Sequence, residues 1–521
     1  MSAVVVIGSG LPGGGGPGAL PLSIKDVVAV SRGQAQVLLD PDAATRLERG
    51  RAVLEAIDRS GQAVYGVTTG VGKLKDTVIP RDEREQLQRN LVLSHAAGVG
   101  APLGEAETRS VLLLLAASLA RGHSGVRSAV VELIAGCLNR GVLPVVPEQG
   151  SVGASGDLAP LAHVAACLIG EGEAMVNGAR LPGREALARA ELRPLALEMK
   201  EGLALLNGTH LMAGLGALLV DEAVGLARLA DIAGAMSLEA LMGTNAAFDA
   251  RIHVLRPHPG QLASAANLRG LTAESEIIAS HRDCTRVQDA YSLRCMPQVH
   301  GAAREAFRFA AEIVEREINS VTDNPLVFPE DGVVLSGGNF HGEPLALAMD
   351  TLSIGLTQLA GISERRIDRL VNPLTNEGLP PFLSPRGGLH SGYMIAQYVA
   401  AALASECKTA SHPASVDSIP TSGLQEDYNS MGAGAALKAR RVLRNTRQVL
   451  AIELLLAAQA LDLRRPLAPG RGSRAAHAAL RSRVPHLDED RFLHADLADA
   501  LSLVDQGAVE AAVESAIGRL Q

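Results

Sequence analysis

The chain lacks tryptophan and has few other aromatic residues. Its 521 residues include only five tyrosines and seven phenylalanines, although 47% of the residues are apolar. Leucine, alanine, valine and isoleucine must therefore fill most of the hydrophobic core. Alanine and leucine are strong helix formers, whereas sheets are enriched in aromatic residues. The composition thus favours packed helices over sheet sandwiches.

Cysteine is scarce as well. The five cysteines are an odd number, lie far apart in the sequence and form no C-x-x-C pair. This spacing argues against a disulfide framework and against a cysteine-ligated zinc site. The sequence also has no H-E-x-x-H motif and no clustered Cys/His spacing, so we expect no metal. A reducing cytoplasm is the expected location.

Positive charge does not predominate either. Lysine and arginine total 48 residues against 56 acidic residues, which gives a net charge of −8 and no basic stripe for nucleic acid. The longest uncharged stretch outside the leader, Gly202 to Val220, is interrupted by polar residues at its centre, so no membrane-spanning helix is expected. The N-terminus has no basic region ahead of its apolar residues, so no secretory signal is expected.

Residues 1–22 are predicted to be a flexible, glycine-rich leader. Gly8, Gly10 and Gly13 form a G-x-G-x-x-G pattern that would bind a dinucleotide if a helix began there. Pro12 and Pro17 bracket four consecutive glycines and oppose such a helix.

Beyond the leader, the hydrophobic pattern predicts a mainly all-α fold. We expect a smaller N-terminal domain over 23–205 and a long-helix bundle over 206–521. Strands and helices do not alternate in the manner of a parallel sheet. Long runs rich in alanine and leucine, without interior proline, predict the bundle helices. These runs are Leu211–Met242, Ala302–Val321, Asp350–Leu370 and Met431–Leu461.

The segment around Ala154-Ser155-Gly156 is the first candidate for chemistry. It is not a serine-hydrolase elbow, because Asp157 stands where the second glycine of G-x-S-x-G belongs. It also lacks the lysine of a phosphate-binding loop, which leaves a plain turn of small residues as the simplest reading. In a strained loop, however, the Gly156 nitrogen could attack the Ala154 carbonyl, and dehydration would turn Ser155 into a methylidene. The product would be a neutral, strong electrophile.

The same segment resembles the signature of the histidine and aromatic amino-acid ammonia-lyases, which make a 4-methylidene-imidazol-5-one group from Ala-Ser-Gly. Further segments resemble that family in the same order, so the resemblance covers about Tyr65 to Met431. They are YGVTTGVG from Tyr65, LQRNLVLSHAAGVG from Leu87, LALLNGTH from Leu203, RPHPG from Arg256, VQDAYSLRCMPQVHG from Val287, SVTDNPLVF from Ser320, GGNFHGEP from Gly337 and SVDSIPTSGLQEDYNSMGA from Ser415.

The resemblance implies a fold of the aromatic amino-acid lyase and fumarase type, and it implies roles for single residues. Tyr65 would remove the substrate β-proton, while the amine would add to the group made from Ala154, Ser155 and Gly156, with no external cofactor. Arg294 would bind the substrate carboxylate, as its planar guanidinium suits. The other residues that the resemblance places at the prosthetic group or substrate are Asn207, Gln288, Tyr291 and Phe340.

Two positions indicate the substrate. Ser94-His95 resembles the histidine lyases of the family, and Glu426 puts a carboxylate where phenylalanine lyases have glutamine. A carboxylate can accept a hydrogen bond from an imidazole N–H. The expected reaction is therefore elimination of ammonia from L-histidine to give trans-urocanate. Met296, Tyr428 and Asn429 depart from the pattern of the histidine lyases.

Two alternatives remain open at this stage. One is a phenylalanine or tyrosine ammonia-lyase, or a 2,3-aminomutase, with the same prosthetic group. The other is an inactive helical scaffold with an unmodified loop. The resemblance also implies a homotetramer in which several chains share each site, and long helices with apolar faces would suit such an assembly. Neither nucleic acid nor a membrane is an expected partner.

Overall fold

The computed structural model describes residues 3–8 and 21–521, and this part of the chain is dominated by helices. The predicted mainly all-α fold is confirmed. The described helices are α1 (Ile24–Ser31), α2 (Ala43–Ser60), α3 (Arg84–His95), α4 (Glu105–Leu119), α5 (Ser128–Arg140), α6 (Leu158–Leu168), α7 (Gly183–Arg189), α8 (Glu201–Leu206), α9 (His210–Ala240), α10 (Ala250–Val254), α11 (Pro259–Leu271), α12 (Glu276–Ala279), α13 (Tyr291–Arg294), α14 (Met296–Glu317), α15 (Glu343–Val371), α16 (Met394–Ala410), α17 (Gly432–Asp462), α18 (Arg471–Arg481), α19 (Leu493–Asp505) and α20 (Ala508–Ile517).

Short strands accompany the helices. They are β1 (Ala3–Ile7), β2 (Ala35–Leu39), β3 (Val99–Pro102), β4 (Leu143–Pro144), β5 (Pro147–Gln149), β6 (Glu173–Val176), β7 (Ala179–Pro182), β8 (Leu326–Phe328) and β9 (Val333–Leu335). Strands β4, β6 and β7 form one small sheet, and β3–β5 and β8–β9 form antiparallel pairs.

The chain divides into two compact units, and neither is continuous in sequence. The first contains Met1–Asp221, Ala310–Asp350 and Pro413–Leu437, and the second contains Glu222–Phe309, Thr351–His412 and Lys438–Gln521. This division differs from the predicted boundary between residues 205 and 206. The reason is that two later segments of the chain pack with the N-terminal part, and hydrophobic periodicity does not reveal such long-range returns.

The prediction of a flexible leader is wrong for the first residues of the chain that the structure describes. Ala3–Ile7 forms β1, which pairs in parallel with β2 over five residues, and Val5 and Ile7 are buried. Backbone hydrogen bonding and burial of these apolar side chains stabilise the strand. The rest of the G-x-G-x-x-G pattern, including Gly10 and Gly13, lies outside the described residues.

Four long helices confirm the predicted helical runs. They are α9, α14, α15 and α17, with 31, 22, 29 and 31 residues. Helices α14 and α15 begin earlier than predicted, because Pro297 and Pro344 stand in their first turns. Proline is tolerated there, since the first N–H groups of a helix have no intrahelical acceptor.

Helices α9 and α15 are also long and apolar enough, by length and composition alone, to cross a membrane. Most of the apolar part of each is buried inside the chain, as in the core helix of a folded domain.

Candidate active site

The Ala154-Ser155-Gly156 turn lies between β5 and α6. Ser155 has φ +49°, and Gly153 and Gly156 have φ +85° and +83°. The Gly156 N–H donates to the Gly153 carbonyl over 3.3 Å. A left-handed backbone is costly for a serine, so the surrounding structure must hold this turn in place.

Gly156 approaches the backbone of Gly208 so closely that no side chain would fit. A Cβ at Gly156 would lie 2.1 Å from the Gly208 carbonyl oxygen. The Gly208 N–H donates to the Ser155 carbonyl over 3.1 Å, and the Asp157 N–H donates to the Gly208 carbonyl over 2.8 Å. The Asn207-Gly208 segment therefore clamps the turn from one side.

Asp157 anchors the turn to the start of helix α9. The residue is fully buried, and its Oδ2 accepts from the N–H groups of Leu211 and Met212 at 3.0 and 3.1 Å. Although Asp157 directly precedes α6, its carboxylate thus caps α9. Burial raises the pKa of Asp157 to about 7, against the opposite effect of these hydrogen bonds.

Asn207 is held by a buried ion pair. Its Nδ2 donates to Asp323 Oδ1 over 3.1 Å and to the Asn324 carbonyl over 2.6 Å. Asp323 Oδ2 in turn binds Lys200 Nζ at 2.5 Å, and both charged groups are buried. A charge pair satisfied in this way fixes the Asn207 side chain.

His210, the first residue of α9, is buried beside Gly208. Neither of its ring nitrogens has a hydrogen-bond partner in the described part of the protein. Burial lowers the pKa of His210 to about 4, so the ring is neutral at neutral pH. The sequence alone does not reveal this environment.

Tyr65 lies in a loop after α2 and is half-buried. Its hydroxyl accepts a hydrogen bond from the Gly72 N–H over 3.2 Å. Burial raises the pKa of Tyr65, the Gly72 hydrogen bond lowers it, and the charge of Glu426 raises it. The loop that carries Tyr65 also contacts the turn that carries Glu426, because the Lys73 N–H donates to Ser422 Oγ over 3.2 Å.

Glu426 closes a tight turn that begins at Thr421. The Thr421 hydroxyl donates to Glu426 Oε2 over 2.8 Å, and the Thr421 N–H donates to the Glu426 carbonyl over 2.9 Å. Segment 415–431, which contains this turn, also contacts the loop that leads to Ala154-Ser155-Gly156, because the Met431 N–H donates to the Val152 carbonyl over 3.0 Å. Segment 415–431 thus contacts the Tyr65 loop and the Ala154-Ser155-Gly156 turn.

The departures at Tyr428 and Asn429 have distinct environments. Asn429 is buried, and its Nδ2 donates to the Ile419 carbonyl over 2.6 Å, which fixes segment 415–431 from within. Tyr428 is exposed and stacks on His341, with 6.3 Å between ring centroids. Phe340 precedes His341 and is half-buried in the loop between β9 and α15.

His95 ends α3 and is half-buried. Its Nδ1 lies 2.8 Å from the Leu91 carbonyl and 3.1 Å from the Ser94 hydroxyl. Since a carbonyl can only accept, Nδ1 carries the proton and Nε2 is the acceptor of the neutral ring.

Gln288, Tyr291 and Arg294 belong to the second unit. Gln288 and Tyr291 are exposed, and the Arg294 guanidinium lies 4.6 Å from the Tyr291 ring centroid. Arg294 Nε donates to the Asp289 carbonyl over 3.0 Å. Met296, the third departure, is fully buried at the start of α14, where a Cβ on Gly234 would lie 2.3 Å from its sulfur.

Within the described ranges 3–8 and 21–521, no group of three or more His, Cys, Asp or Glu residues is arranged to hold a metal ion.

Comparisons with known proteins give a consistent result. A sequence model described as aromatic amino acid lyase matches residues 22–482. Histidine ammonia-lyase of Gloeobacter violaceus is 56% identical over 96% of this chain and 97% of that protein. Two solved structures are similar in fold: histidine ammonia-lyase from Trypanosoma cruzi (42% identity, TM-score 0.89, 99% and 96% of the two chains) and tyrosine aminomutase from Streptomyces globisporus (39%, 0.91, 96% and 98%).

Proposed function

Because the chain belongs to the aromatic amino acid lyases, and is therefore a carbon-nitrogen lyase, we propose that it eliminates ammonia from L-histidine and releases trans-urocanate. The relative named histidine ammonia-lyase, from Gloeobacter violaceus, supports this substrate, since it matches the chain over nearly its whole length. The structural observation that carries the proposal is the contact between the loop of Tyr65 and the turn of Glu426, in which the Lys73 N–H donates to Ser422 Oγ over 3.2 Å.

Glu426 selects the substrate ring in this proposal. Its Oε2 accepts from Thr421, which orients the carboxylate and leaves Oε1 for an imidazole N–H. A phenyl ring would leave that oxygen unpaired, at a cost of about 1–3 kcal/mol if the site is closed to water. His95 could accept a further substrate N–H through Nε2, because its Nδ1 is committed to Leu91.

The Ala154-Ser155-Gly156 turn fits a methylidene-imidazolone. Its support is the left-handed backbone of Ser155 and the contact with Gly208 that leaves no room for a Cβ at Gly156. Such a group supplies a neutral electrophile for the substrate nitrogen, so no external cofactor is needed. Asn207-Gly208 would hold the turn through the Gly208 hydrogen bond to Ser155.

Tyr65 is the proposed base for the β-proton. A tyrosine normally titrates near pH 10, so its phenolate must be stabilised before it can act. The Gly72 N–H supplies one hydrogen bond to the phenolate oxygen. Burial and the charge of Glu426 both oppose formation of the phenolate. A hydrogen bond from the substrate imidazole N–H to Glu426 would weaken the effect of that charge on Tyr65.

Arg294 is proposed to bind the substrate carboxylate, with Gln288, Tyr291 and Phe340 lining the site. Within the described residues Arg294 is hydrogen-bonded through Nε, to Asp289, and its terminal nitrogens are suited to a bidentate carboxylate contact. Tyr291 holds the guanidinium plane by a cation–π contact.

We further propose that the enzyme works as a homotetramer. Helix α16 exposes Ile395, Tyr398 and Val399 on one face, at the spacing of successive helical turns. An exposed apolar stripe of this kind is typical of a surface that another chain covers.

Parallel assays with L-histidine, L-phenylalanine and L-tyrosine test the substrate. We expect urocanate, followed by its ultraviolet absorbance, and an equal amount of ammonia from histidine. Turnover of tyrosine without turnover of histidine would contradict the proposal. A β-amino acid formed without free ammonia would identify a 2,3-aminomutase. This alternative is tested because the chain is also similar in structure to a tyrosine aminomutase.

A further inference from the structure

The turn that carries Glu426 has an unusual backbone. Ser422, Gly423 and Leu424 have φ values of +50°, +59° and +68°, so three successive residues are left-handed. Two of them carry side chains, for which a left-handed conformation is unfavourable. Hydrogen bonds between Thr421 and Glu426 close the turn.

The turn presents the Ser422 hydroxyl to the loop that carries Tyr65. Ser422 Oγ accepts from the Lys73 N–H over 3.2 Å. It also lies against the preceding residue, because a Cβ on Gly72 would be 2.6 Å from Oγ. Gly72 itself has φ +57°, so the loop is left-handed at this point of contact.

Gly72 connects this contact to the chemistry. Its N–H donates to the Tyr65 hydroxyl over 3.2 Å, while Ser422 Oγ packs against it and binds the N–H of the next residue. The Ser422 hydroxyl thus contacts the stretch of backbone whose Gly72 N–H donates to Tyr65.

We propose that Ser422 is a positioning residue for proton removal: its hydroxyl holds the Gly72-Lys73 backbone so that the Gly72 N–H points at the Tyr65 oxygen. The inference rests on the proposed role of Tyr65 as base. It adds that one strained turn positions two groups at once, the substrate-selecting carboxylate of Glu426 and the hydrogen-bond donor of Tyr65.

The charged groups around Tyr65 stay the same when Ser422 is replaced, so the effect of Ser422 on the titration of Tyr65 can be measured. Glu426, from the facing turn, opposes the phenolate, and Lys73 and Lys75 lie on the Tyr65 loop itself. None of these charges changes when Ser422 is replaced. A shift in the titration of Tyr65 after such a replacement therefore reports the Gly72 hydrogen bond.

The test compares Ser422→Ala with Ser422→Gly. Both variants lose the hydroxyl, but only glycine relieves the left-handed strain at this position. We expect both to lower kcat at neutral pH by about threefold to tenfold, with KM changed less than twofold. The acid limb of the kcat/KM profile should move to higher pH by about half a unit to one unit. A difference absorbance titration of tyrosinate, against Tyr65→Phe as blank, should show the same shift without turnover.

Gln425→Ala is the matched control. Gln425 Oε1 accepts from Lys75 Nζ at 2.5 Å, so this variant removes a neighbouring contact between the same two segments without touching Ser422. We expect its pH profile to coincide with that of the wild type.

Three results would overturn the inference. The first is an acid limb that does not move in either Ser422 variant, and the second is a shift in Gln425→Ala as large as that in the Ser422 variants. The third is a shift in Ser422→Ala that is absent from Ser422→Gly, because this result would implicate backbone strain and not the hydroxyl. Wild-type protein without turnover of histidine would instead refute the proposed function, so the two failures are distinguishable.

Discussion

At the scale of single residues, the site depends on side chains that are oriented by hydrogen bonds to groups outside the motifs' chemistry. Tyr65, Asn207 and Glu426 were predicted from motifs, but their partners Gly72, Asp323 and Thr421 were not. A motif identifies the residue type that the chemistry needs. It does not identify the group that orients that residue, because the partner depends on the conformation of a loop, as for Tyr65 and Glu426, or on a distant segment, as for Asn207.

Glu426→Gln tests substrate selection at this scale. Glutamine keeps one carbonyl acceptor but loses the charge, and a hydrogen bond to a charged group contributes about 1.5–3 kcal/mol. We expect kcat/KM for histidine to fall about tenfold to a hundredfold. Steady-state assays at several pH values measure the change. An unchanged kcat/KM would exclude Glu426 as the partner of the imidazole.

His210→Gln tests the buried imidazole. Burial lowers the pKa of His210 to about 4, whereas an unfolded histidine titrates near 6.5. As the pH falls from about 6.5 to 4, the unfolded chain gains a proton that the folded chain does not, so stability falls by up to about 1.4 kcal/mol per pH unit. Removing the imidazole should remove this contribution.

Denaturant unfolding between pH 4 and 7 measures the effect. The free energy of unfolding of His210→Gln should decline less steeply towards acid than that of the wild type. His258→Gln, at an exposed position, controls for the loss of a histidine as such. Parallel curves for wild type and His210→Gln would show that the buried ring does not govern acid stability.

At the scale of elements, helices were easier to predict than their connections. The runs of α9 and α17 follow from local periodicity, as do the bodies of α14 and α15. The pairing of β1 with β2 and the division into units escaped prediction, because they join distant segments. Asp157 illustrates the same limit: its position indicates a cap for α6, whereas its carboxylate caps α9.

Asp157→Ala tests this connection between the turn and α9. Alanine would leave the N–H groups of Leu211 and Met212 buried without an acceptor, which should cost about 2–5 kcal/mol of the free energy of unfolding. Asp157→Asn keeps one acceptor oxygen and should lose less. Equilibrium unfolding of the three proteins at one pH makes the comparison. Equal stability of Asp157→Ala and wild type would contradict this account of the cap.

At the scale of the whole molecule, association of chains is the proposal that the sequence supports least directly. Ile395→Asp tests it by placing a charge in the exposed apolar stripe of α16. The position lies in the first turn, where a negative charge favours the helix, so the fold of each chain should be kept. We expect light scattering to show smaller species for this variant than for the wild type, for which we propose a tetramer, and we expect most activity to be lost.

Gln62→Glu, which adds a negative charge on an exposed loop, is the control and should stay assembled. A wild-type protein that is monomeric and fully active at assay concentration would refute the tetramer proposal.

The intact mass of the purified chain tests the central claim most directly. Ring closure of Ala154-Ser155-Gly156 and dehydration of Ser155 each release one water. We therefore predict that the wild-type mass is lower than the mass calculated from its sequence by two waters. We predict that Ser155→Ala has the full mass calculated from its sequence and loses nearly all histidine turnover. An active wild-type enzyme with the full, unmodified mass would contradict the account.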